Sequence, residues 1–459
     1  MKAFKKIISL TLCLTLSLGL FAFGSYAEKG KDYTIVSPYE DVVWSGENAW
    51  GAYKGNLHSH TTFSDADEDL PTMVKEYYEQ GFDFLANSDH GVTGTPWNVE
   101  PERQLLYAYQ ELQGKTVATL TDEEFEGITS GTYPLYNGSV RNKKMTCVTG
   151  ANELNNLTLT KCHVNAYFLP YDVGNGFGGS ENGYEQAIAF TEKNGGLSHI
   201  NHPGDWLESN KDITTVSDPK NIEFFAKLLL KYPTCLGMEV FNDRNSTTPY
   251  DRILWDNILM YTLPYGRNVI GFSNTDAHDK ENIDTSFSVF MMEENDVEHI
   301  KQTMQSGAFF MVTRILRSND IIGPQESIDV RNKGLAYPMF KSLTVKDHTV
   351  TVTAENASSI QWIANGKVIA GSEISDGSVT LDLDSIEGAE DFLYVRAELY
   401  GEGGVCISQA LVIDDGSEKL VYSEEKNLCT LAEKILFALK STRFWTIVVE
   451  LYRIIKYGA

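Results

Sequence analysis

Between residues 70 and 279 the chain alternates helix-like with strand-like segments, and this rhythm restricts the available folds more than any other feature. Residues 71–80 carry apolar side chains at helical spacing, with Pro71 early in the segment and Gly81 as its stop. An apolar strand, 82–86, follows and ends at Asn87-Ser88-Asp89-His90. Helices over 184–193, 221–230 and 251–261 are each followed by a strand, at 197–200, 236–241 and 268–272. Such repetition predicts a parallel sheet or barrel with helices outside. His58, His90, the stretch 199–202, Glu239 and Asp276 all fall at or just after strand C-termini. A (β/α) barrel puts its chemistry there. A doubly wound sheet does so too, but at one crevice, and contributions from this many strands favour a closed barrel. Residues 91–149, rich in Gly, Thr and Tyr, break the rhythm and read as an insertion capping the barrel mouth, a lid.

Beyond about residue 325 the character changes. Short strands are expected within 343–353, 359–363, 367–369, 378–383, 392–399 and 405–413, with Asn365-Gly366 as a hairpin turn. This spacing suggests a small β-sandwich over 326–420. Residues 428–459 have a helical pattern and carry Lys434, Lys440, Arg443, Arg453 and Lys456 against Glu433 and Glu450. A basic amphipathic tail of this kind either lies on a membrane surface or docks its apolar face on the body; both readings stay open.

The N-terminus reads as a secretory leader. Lys2, Lys5 and Lys6 precede an apolar run over 7–24, and Ser25-Tyr26-Ala27 places small residues at the −3 and −1 positions of a cleavage site. An uncleaved anchor is the alternative, and the Ala27 context favours cleavage. The chain is therefore expected to be secreted or associated with the cell surface. Its 459 residues carry a formal charge of −25, which opposes non-specific binding to nucleic acid or anionic membrane. Small phosphorylated substrates stay compatible, because bound cations reverse the local field. Outside the leader, Cys147, Cys162, Cys235, Cys406 and Cys429 form no CxxC pair and no even framework, so they read as buried small hydrophobes.

Seven of the nine histidines lie within residues 58–278, each at a strand end or beside a strand, with carboxylates among them. His58 and His60 are two apart at the end of an extended segment, so both imidazoles share a face. Asp276 and His278 repeat the pattern. Glu153 follows a strand-like segment, and His163 precedes another. His199 and His202 are three apart and face opposite ways in a strand, so one of them points into the site. Pro203 biases His202 toward an extended conformation and makes it the favoured ligand. His199 is left as a catalytic candidate, a phosphate or proton-transfer partner. Asp65 is either a ligand or the cap of its turn. Glu239 reads as the partner that orients a ligand histidine. Arg244 and Arg267 are candidate phosphate contacts, with Arg267 favoured as structural by its place before a strand, and His299 and His348 have no partner pattern. Imidazole with carboxylate suits Zn, Mn or Fe, and so many ligands exceed one tetrahedral site, so two or three divalent ions are expected.

The ordered segments His58-Ser59-His60-Thr61-Thr62-Phe63-Ser64-Asp65, Ser88-Asp89-His90, Gly150-Ala151-Asn152-Glu153, Asn201-His202-Pro203 and Thr275-Asp276-Ala277-His278 resemble the motifs of PHP (polymerase and histidinol phosphatase) domain phosphoesterases. The secreted branch that includes carbaryl-hydrolase-like metallohydrolases is the most similar. The resemblance covers about residues 50–315 and implies an α/β fold, a distorted TIM-like (β/α)7 barrel within 28–325, with a trinuclear site. It implies that His58, His60, Glu153 and Asp276 hold one ion. Glu153 then bridges to a second, held also by His163 and His202, while Asp65, His90 and His278 hold the third. The stretch between His90 and Glu153 is longer than the family pattern.

The expected activity is hydrolysis of a small phosphoester by a metal-bound hydroxide. The same site acting on a carboxylic ester, carbamate or amide is the alternative, and a non-catalytic surface binding protein is a third. No basic, aromatic-interleaved face appears that would hold a nucleic-acid strand.

Overall fold

The structure, a computed structural model, describes residues 33–101, 105–154, 161–171, 183–243, 246–317 and 327–423, together with Leu451. The leader expected over 1–27, Arg244, Cys429 and, Leu451 apart, the basic tail expected over 428–459 lie outside the described residues.

In chain order the first strands are β1 (Thr34–Val36), β2 (Gly51–Asn56), β3 (Phe84–Leu85), β4 (Thr146–Cys147), β5 (Asn152–Leu154), β6 (Val164–Tyr167) and β7 (Leu197–Ile200). Then come β8 (Cys235–Phe241), β9 (Ile270–Ser273), β10 (Ser286–Met292), β11 (Phe309–Thr313), β12 (Ile315–Leu316), β13 (Ile328–Asp329) and β14 (Met339–Lys346). The last are β15 (Thr349–Glu355), β16 (Ser359–Ala364), β17 (Lys367–Glu373), β18 (Ser378–Asp382), β19 (Tyr394–Gly401), β20 (Gly404–Ile407) and β21 (Leu411–Asp414).

The helices form where their local signals lie. The helix Leu70–Glu79 starts at Asp69, whose carboxylate accepts the Thr72 amide at 2.9 Å, and has Pro71 in its first turn. Its buried face is Leu70, Met73, Val74, Tyr77 and Tyr78, the i, i+3, i+4, i+7, i+8 pattern of an amphipathic helix. Gly81, at φ 80°, ends it. Helices Gly183–Lys193, Pro219–Lys231 and Asp251–Thr262 alternate with β7, β8 and β9 as expected.

The sheets are mixed rather than wholly parallel. β2, β3 and β4 pair in parallel, as do β7, β8 and β9. β5–β6 and β6–β7 are antiparallel, and β10 lies antiparallel to both β2 and β11. Only residues 155–163 separate β5 from β6. A parallel crossover takes a dozen or more residues, so this connection returns the chain as an antiparallel neighbour. The strands do not close as one continuous ladder. The β2–β3–β4 and β5–β9 sheets meet through two isolated parallel bridges, Ser59 with Ala277 and His90 with Glu153. Within 91–149, β4 joins the sheet beside β3. The same segment braces the loop after β2: Gln110 donates to the Ser64 carbonyl at 2.8 Å, and Lys115 to that of Ala66 at 3.0 Å.

In the C-terminal part, Asn365 (φ 46°) and Gly366 (φ 71°) make the left-handed turn between β16 and β17 that the Asn-Gly pair predicts. The segment read over 343–353 is two strands, β14 and β15, paired as a hairpin that reverses at Asp347 (φ 51°). Aspartate tolerates this conformation, but without a following glycine it gives a weaker sequence signal. β14, β15 and β18 form a three-stranded sheet, while β20 pairs with β11, so the late strands extend the sheet that holds β2. Helix Asp251–Thr262 is enclosed on most sides, and its charged residues meet β19 in a buried network. Arg396 donates to Asp256 at 2.7 and 2.8 Å and to Glu398 at 2.5 Å, and Arg252 donates to Glu398 at 2.9 Å. Among the described residues, no helix is long and apolar enough to cross a membrane.

Candidate metal centre

Two backbone hydrogen bonds bring the two histidine-bearing segments together. The Asp276 amide donates to the His58 carbonyl at 3.0 Å, and the His60 amide donates to the Ala277 carbonyl at 3.0 Å. Segments 58–60 and 276–278 therefore run side by side past the strand ends, and their side chains converge. Asp276 holds a left-handed backbone (φ 49°), as does His202 (φ 27°), a conformation that costs non-glycine residues energy and occurs at functional sites as well as in turns.

The convergence is tight. His58 Nε2 lies 3.2 Å from His60 Nε2, 3.3 Å from Glu153 Oε2 and 3.2 Å from Asp276 Oδ1. His60 Nε2 lies 3.1 Å from Glu153 Oε2 and 3.0 Å from Asp276 Oδ1. Ligands about 2.0–2.1 Å from a tetrahedral ion stand about 3.3–3.4 Å from one another. Asp276 Oδ1 is buried and accepts no well-aligned hydrogen bond among the described residues, although two imidazole nitrogens flank it. The donor atoms thus aim at a common point rather than at each other, which fits a cation.

Glu153 also faces a second group. Its Oε1 lies 3.0 Å from His163 Nδ1 and 3.3 Å from His202 Nε2, and its Oε2 lies 3.2 Å from His90 Nδ1. Asp65 forms a third, with Oδ1 3.4 Å from His278 Nε2 and 3.7 Å from His60 Nδ1, and Oδ2 3.6 Å from His90 Nε2. The sets His58–His60–Glu153–Asp276, His90–Glu153–His163 and His60–Asp65–His90–His278 each bring their ligand atoms within 4.8 Å of one another. These sets hold eight of the nine expected ligands; His202 is in none of them and adjoins the cluster through Glu153 Oε1 at 3.3 Å. Asp65 belongs to it, while Asp89 fastens its turn by accepting Ser64 Oγ at 2.7 Å and the Thr61 amide at 2.7 Å.

Partners outside the cluster aim these ligands. Glu239 accepts His58 Nδ1–H at 2.8 Å, which turns Nε2 toward Asp276. Its other oxygen accepts the His202 amide at 3.0 Å and the Asn242 amide group at 2.8 Å. His278 Nδ1–H donates to the Asp276 carbonyl at 2.9 Å, freeing Nε2. Asn201 donates to Glu153 Oε1 at 2.8 Å. His199 lies elsewhere. Its ring stacks on Phe272 at 4.5 Å, and its Nε2 meets the Tyr167 hydroxyl at 2.8 Å and the Asn274 amide group at 3.4 Å. It does not line the cavity above the cluster. The reason is the alternation noted above: β7 runs through Ile200, so His199 projects into the packed interior. Arg267 donates to the carbonyl of Cys235 at 2.8 Å, a structural contact. His299 and His348 each pair locally, with Asp296 at 2.9 Å and Asp384 at 2.8 Å.

The electrostatics reflect a crowd of buried carboxylates. Burial opposes charge on His58, yet Asp276, Glu153 and Glu239 hold its pKa well above the usual value. Against the same burial, Asp276 and Glu153 raise His60 to about 10, and Glu153 with Asp276 raises His202 to about 9. For His90 burial wins and lowers the pKa to about 3. Burial pushes Glu153, Asp276 and Asp65 up, but the surrounding imidazoles hold all three below the ordinary carboxylate range. In this form protons on the histidines balance the carboxylates; divalent cations supply the same balance and displace those protons.

An open cavity of about 350 Å³ adjoins the cluster, lined by His90, Glu153, His163, His202, Asp276 and His278. Asp205, Asn242, Asp279 and Asn282 also line it, and sequence reasoning did not single them out. The signal available was position: Asn242 directly follows β8, and Asp279 directly follows His278.

No family model matches the chain, and no curated protein matches it. Among solved structures it is similar to a two-domain protein from Bacteroides vulgatus containing a predicted PHP-like metal-dependent phosphoesterase, at 14% identity and a TM-score of 0.39, over 84% of this chain and 100% of that one. It is also similar to the lesion-specific endonuclease PfuEndoQ from Pyrococcus furiosus, at 12% identity and a TM-score of 0.31, over 56% of each chain. PsfC from Pseudomonas syringae matches at 12% identity and a TM-score of 0.29, over 53% of this chain and 83% of that one.

Proposed function

We propose that this chain is an exported, metal-dependent hydrolase of the PHP type, in the branch that includes carbaryl-hydrolase-like enzymes, and that it cleaves a small phosphoester. The observation that carries this reading is the knot of His58, His60, Glu153 and Asp276, in which the two imidazole nitrogens lie 3.0–3.3 Å from the carboxylate oxygens, one of them orphaned among the described residues. In this proposal these four residues hold one ion. Glu153, His163 and His202 hold a second, and Asp65, His90 and His278 a third, the ions being Zn, Mn or Fe. Bound there, such ions supply Lewis acidity, which activates water at neutral pH and offsets charge on the phosphoryl oxygens.

The protein's own part is placement. Glu239 fixes the His58 tautomer, Asn201 orients Glu153, and the buried floor excludes solvent from below. His199 is assigned a positioning role beneath the site, through Asn274, which donates to Glu239 at 3.0 Å. The same proposal makes β2, β3 and β5–β9 a distorted (β/α)7 barrel whose two seams are the isolated bridges; those bridges support it. It keeps 28–325 as the catalytic unit, 326–420 as a β-sandwich-like accessory and 428–459 as a tail able to meet a membrane surface. Export rests on the leader pattern over residues 1–27. The charge of −25 argues against a nucleic-acid substrate.

A panel of phosphomonoesters, phosphodiesters, carboxylic esters and carbamates, run on metal-loaded protein, tests the reading. Phosphoester turnover that a chelator removes and added metal restores is the expected result. Turnover of carbonyl esters alone would replace the phosphoester assignment, and no metal-dependent turnover at all would remove the hydrolase.

A further inference from the structure

His202 differs from the ligand histidines His58 and His278 in how it is held. Those two donate Nδ1–H to Glu239 and to the Asp276 carbonyl. His202 Nδ1 is buried and has no hydrogen-bond partner among the described residues. A ligand imidazole ordinarily gains its orientation from such a partner. His202 is also the N-cap of the short helix Pro203–Trp206 and caps it with no side-chain hydrogen bond, because its ring turns toward Glu153 instead. The backbone at this position is left-handed, so the conformation needs support from its surroundings.

That support comes from two carboxyl groups. Glu239 takes the His202 amide. Asp251, 49 residues further along the sequence in the first turn of helix Asp251–Thr262, accepts the Gly204 amide at 3.1 Å. Asp251 is 1% exposed, and its other oxygen has no hydrogen-bond partner among the described residues. The fit is close: a Cβ on Gly204 would stand 2.2 Å from Asp251 Oδ1 and 2.7 Å from Ser209 Oγ. Only glycine lets the two segments approach this far.

We propose that Asp251 is a positioning residue for the metal centre, a remote cap that takes the amide His202 leaves uncapped and so frees the His202 imidazole to serve as a ligand. Asp251 is not a ligand itself; it acts through Gly204 and Pro203. Burial raises its pKa well above the usual carboxylate value, so a neutral amide in its place can accept the same hydrogen bond. The inference rests on the metal-site reading above and adds to it a residue outside the ligand motifs.

The test measures metal stoichiometry and affinity for the full chain, wild type beside Asp251→Ala, Asp251→Asn, Asp251→Leu and Gly204→Ala, with circular dichroism as the check on folding. Asp251→Ala and Gly204→Ala are expected to weaken one class of ion about 10–100-fold, as loss of a partner behind a ligand does, with the other ions unchanged. Asp251→Asn is expected to stay within about threefold of wild type because its amide oxygen still accepts the Gly204 amide, while Asp251→Leu, of similar bulk but with no acceptor, is expected to lose the ion as the alanine variant does. Wild-type affinities in a folded Asp251→Ala protein overturn the inference and leave the metal site standing. If the alanine variant does not fold, a folded Asp251→Asn protein that loses one ion overturns it equally. A wild-type chain that takes up no ion overturns both.

Discussion

Glu153→Ala is expected to remove metal-dependent turnover, with a loss greater than the ~10–100-fold that follows removal of a partner behind a ligand. The reason is the number of imidazoles this one carboxylate serves. Its two oxygens lie 3.0–3.3 Å from His58, His60, His90, His163 and His202. Substitution takes a charge and a donor from two neighbouring groups at once, and it removes one of the two acceptors of the Asn201 amide group. Both kcat/KM and the number of ions retained after dialysis should fall. Glu153→Gln keeps the volume and one carbonyl oxygen, so its loss should follow the same direction with less structural change. His299→Ala is the control: that side chain pairs with Asp296 at the start of a surface helix, and its variant should keep both quantities. A Glu153→Ala protein with unchanged turnover and metal content would show that the carboxylate does not tie the cluster together.

The second large effect concerns stability. Arg396 is fully buried, and its guanidinium is held by Asp256 and Glu398, with the Tyr394 hydroxyl donating to Asp256 at 2.6 Å. Removing one partner of a buried ion pair strands the remaining charges and typically costs about 3–5 kcal/mol. Arg396→Ala should therefore lower the free energy of unfolding by that amount, read from denaturant titrations, and Asp256→Ala should do so similarly. The double variant should be less destabilised than the two losses added, because neither charge then lacks its partner. Metal content of the folded fraction should persist, since no ligand belongs to this network. Additive losses would mean that the residues act independently, contrary to the geometry of the pair.

The centre was unusually legible from sequence because its geometry is local. His58 and His60, two apart in extended chain, and Asp276 with His278 repeat one rule of strand periodicity, and their neighbours sit at strand ends. The helices were legible for the same reason, Asp69 and Pro71 marking one start. What could not be read depends on partners distant in sequence. Nothing near residue 405 says that β20 will pair with β11, joining the late strands to the sheet of β2. The helix-then-strand rhythm predicts parallel strands and says nothing of the antiparallel β5–β6 pair, where the short connection decides the direction. The side that His199 faces became clear only once the end of β7 was placed. Asp251 reads as an ordinary helix-start aspartate, and only the approach of Gly204 gives it a second meaning.

The most direct measurement is elemental analysis of the purified, folded chain after dialysis against metal-free buffer. Two or three divalent ions per chain, falling in the Glu153→Ala and Asp276→Ala proteins, is the predicted result. A folded wild-type chain that retains no ion, and gains none when supplied with Zn, Mn or Fe, would contradict the metal centre and the hydrolase built on it.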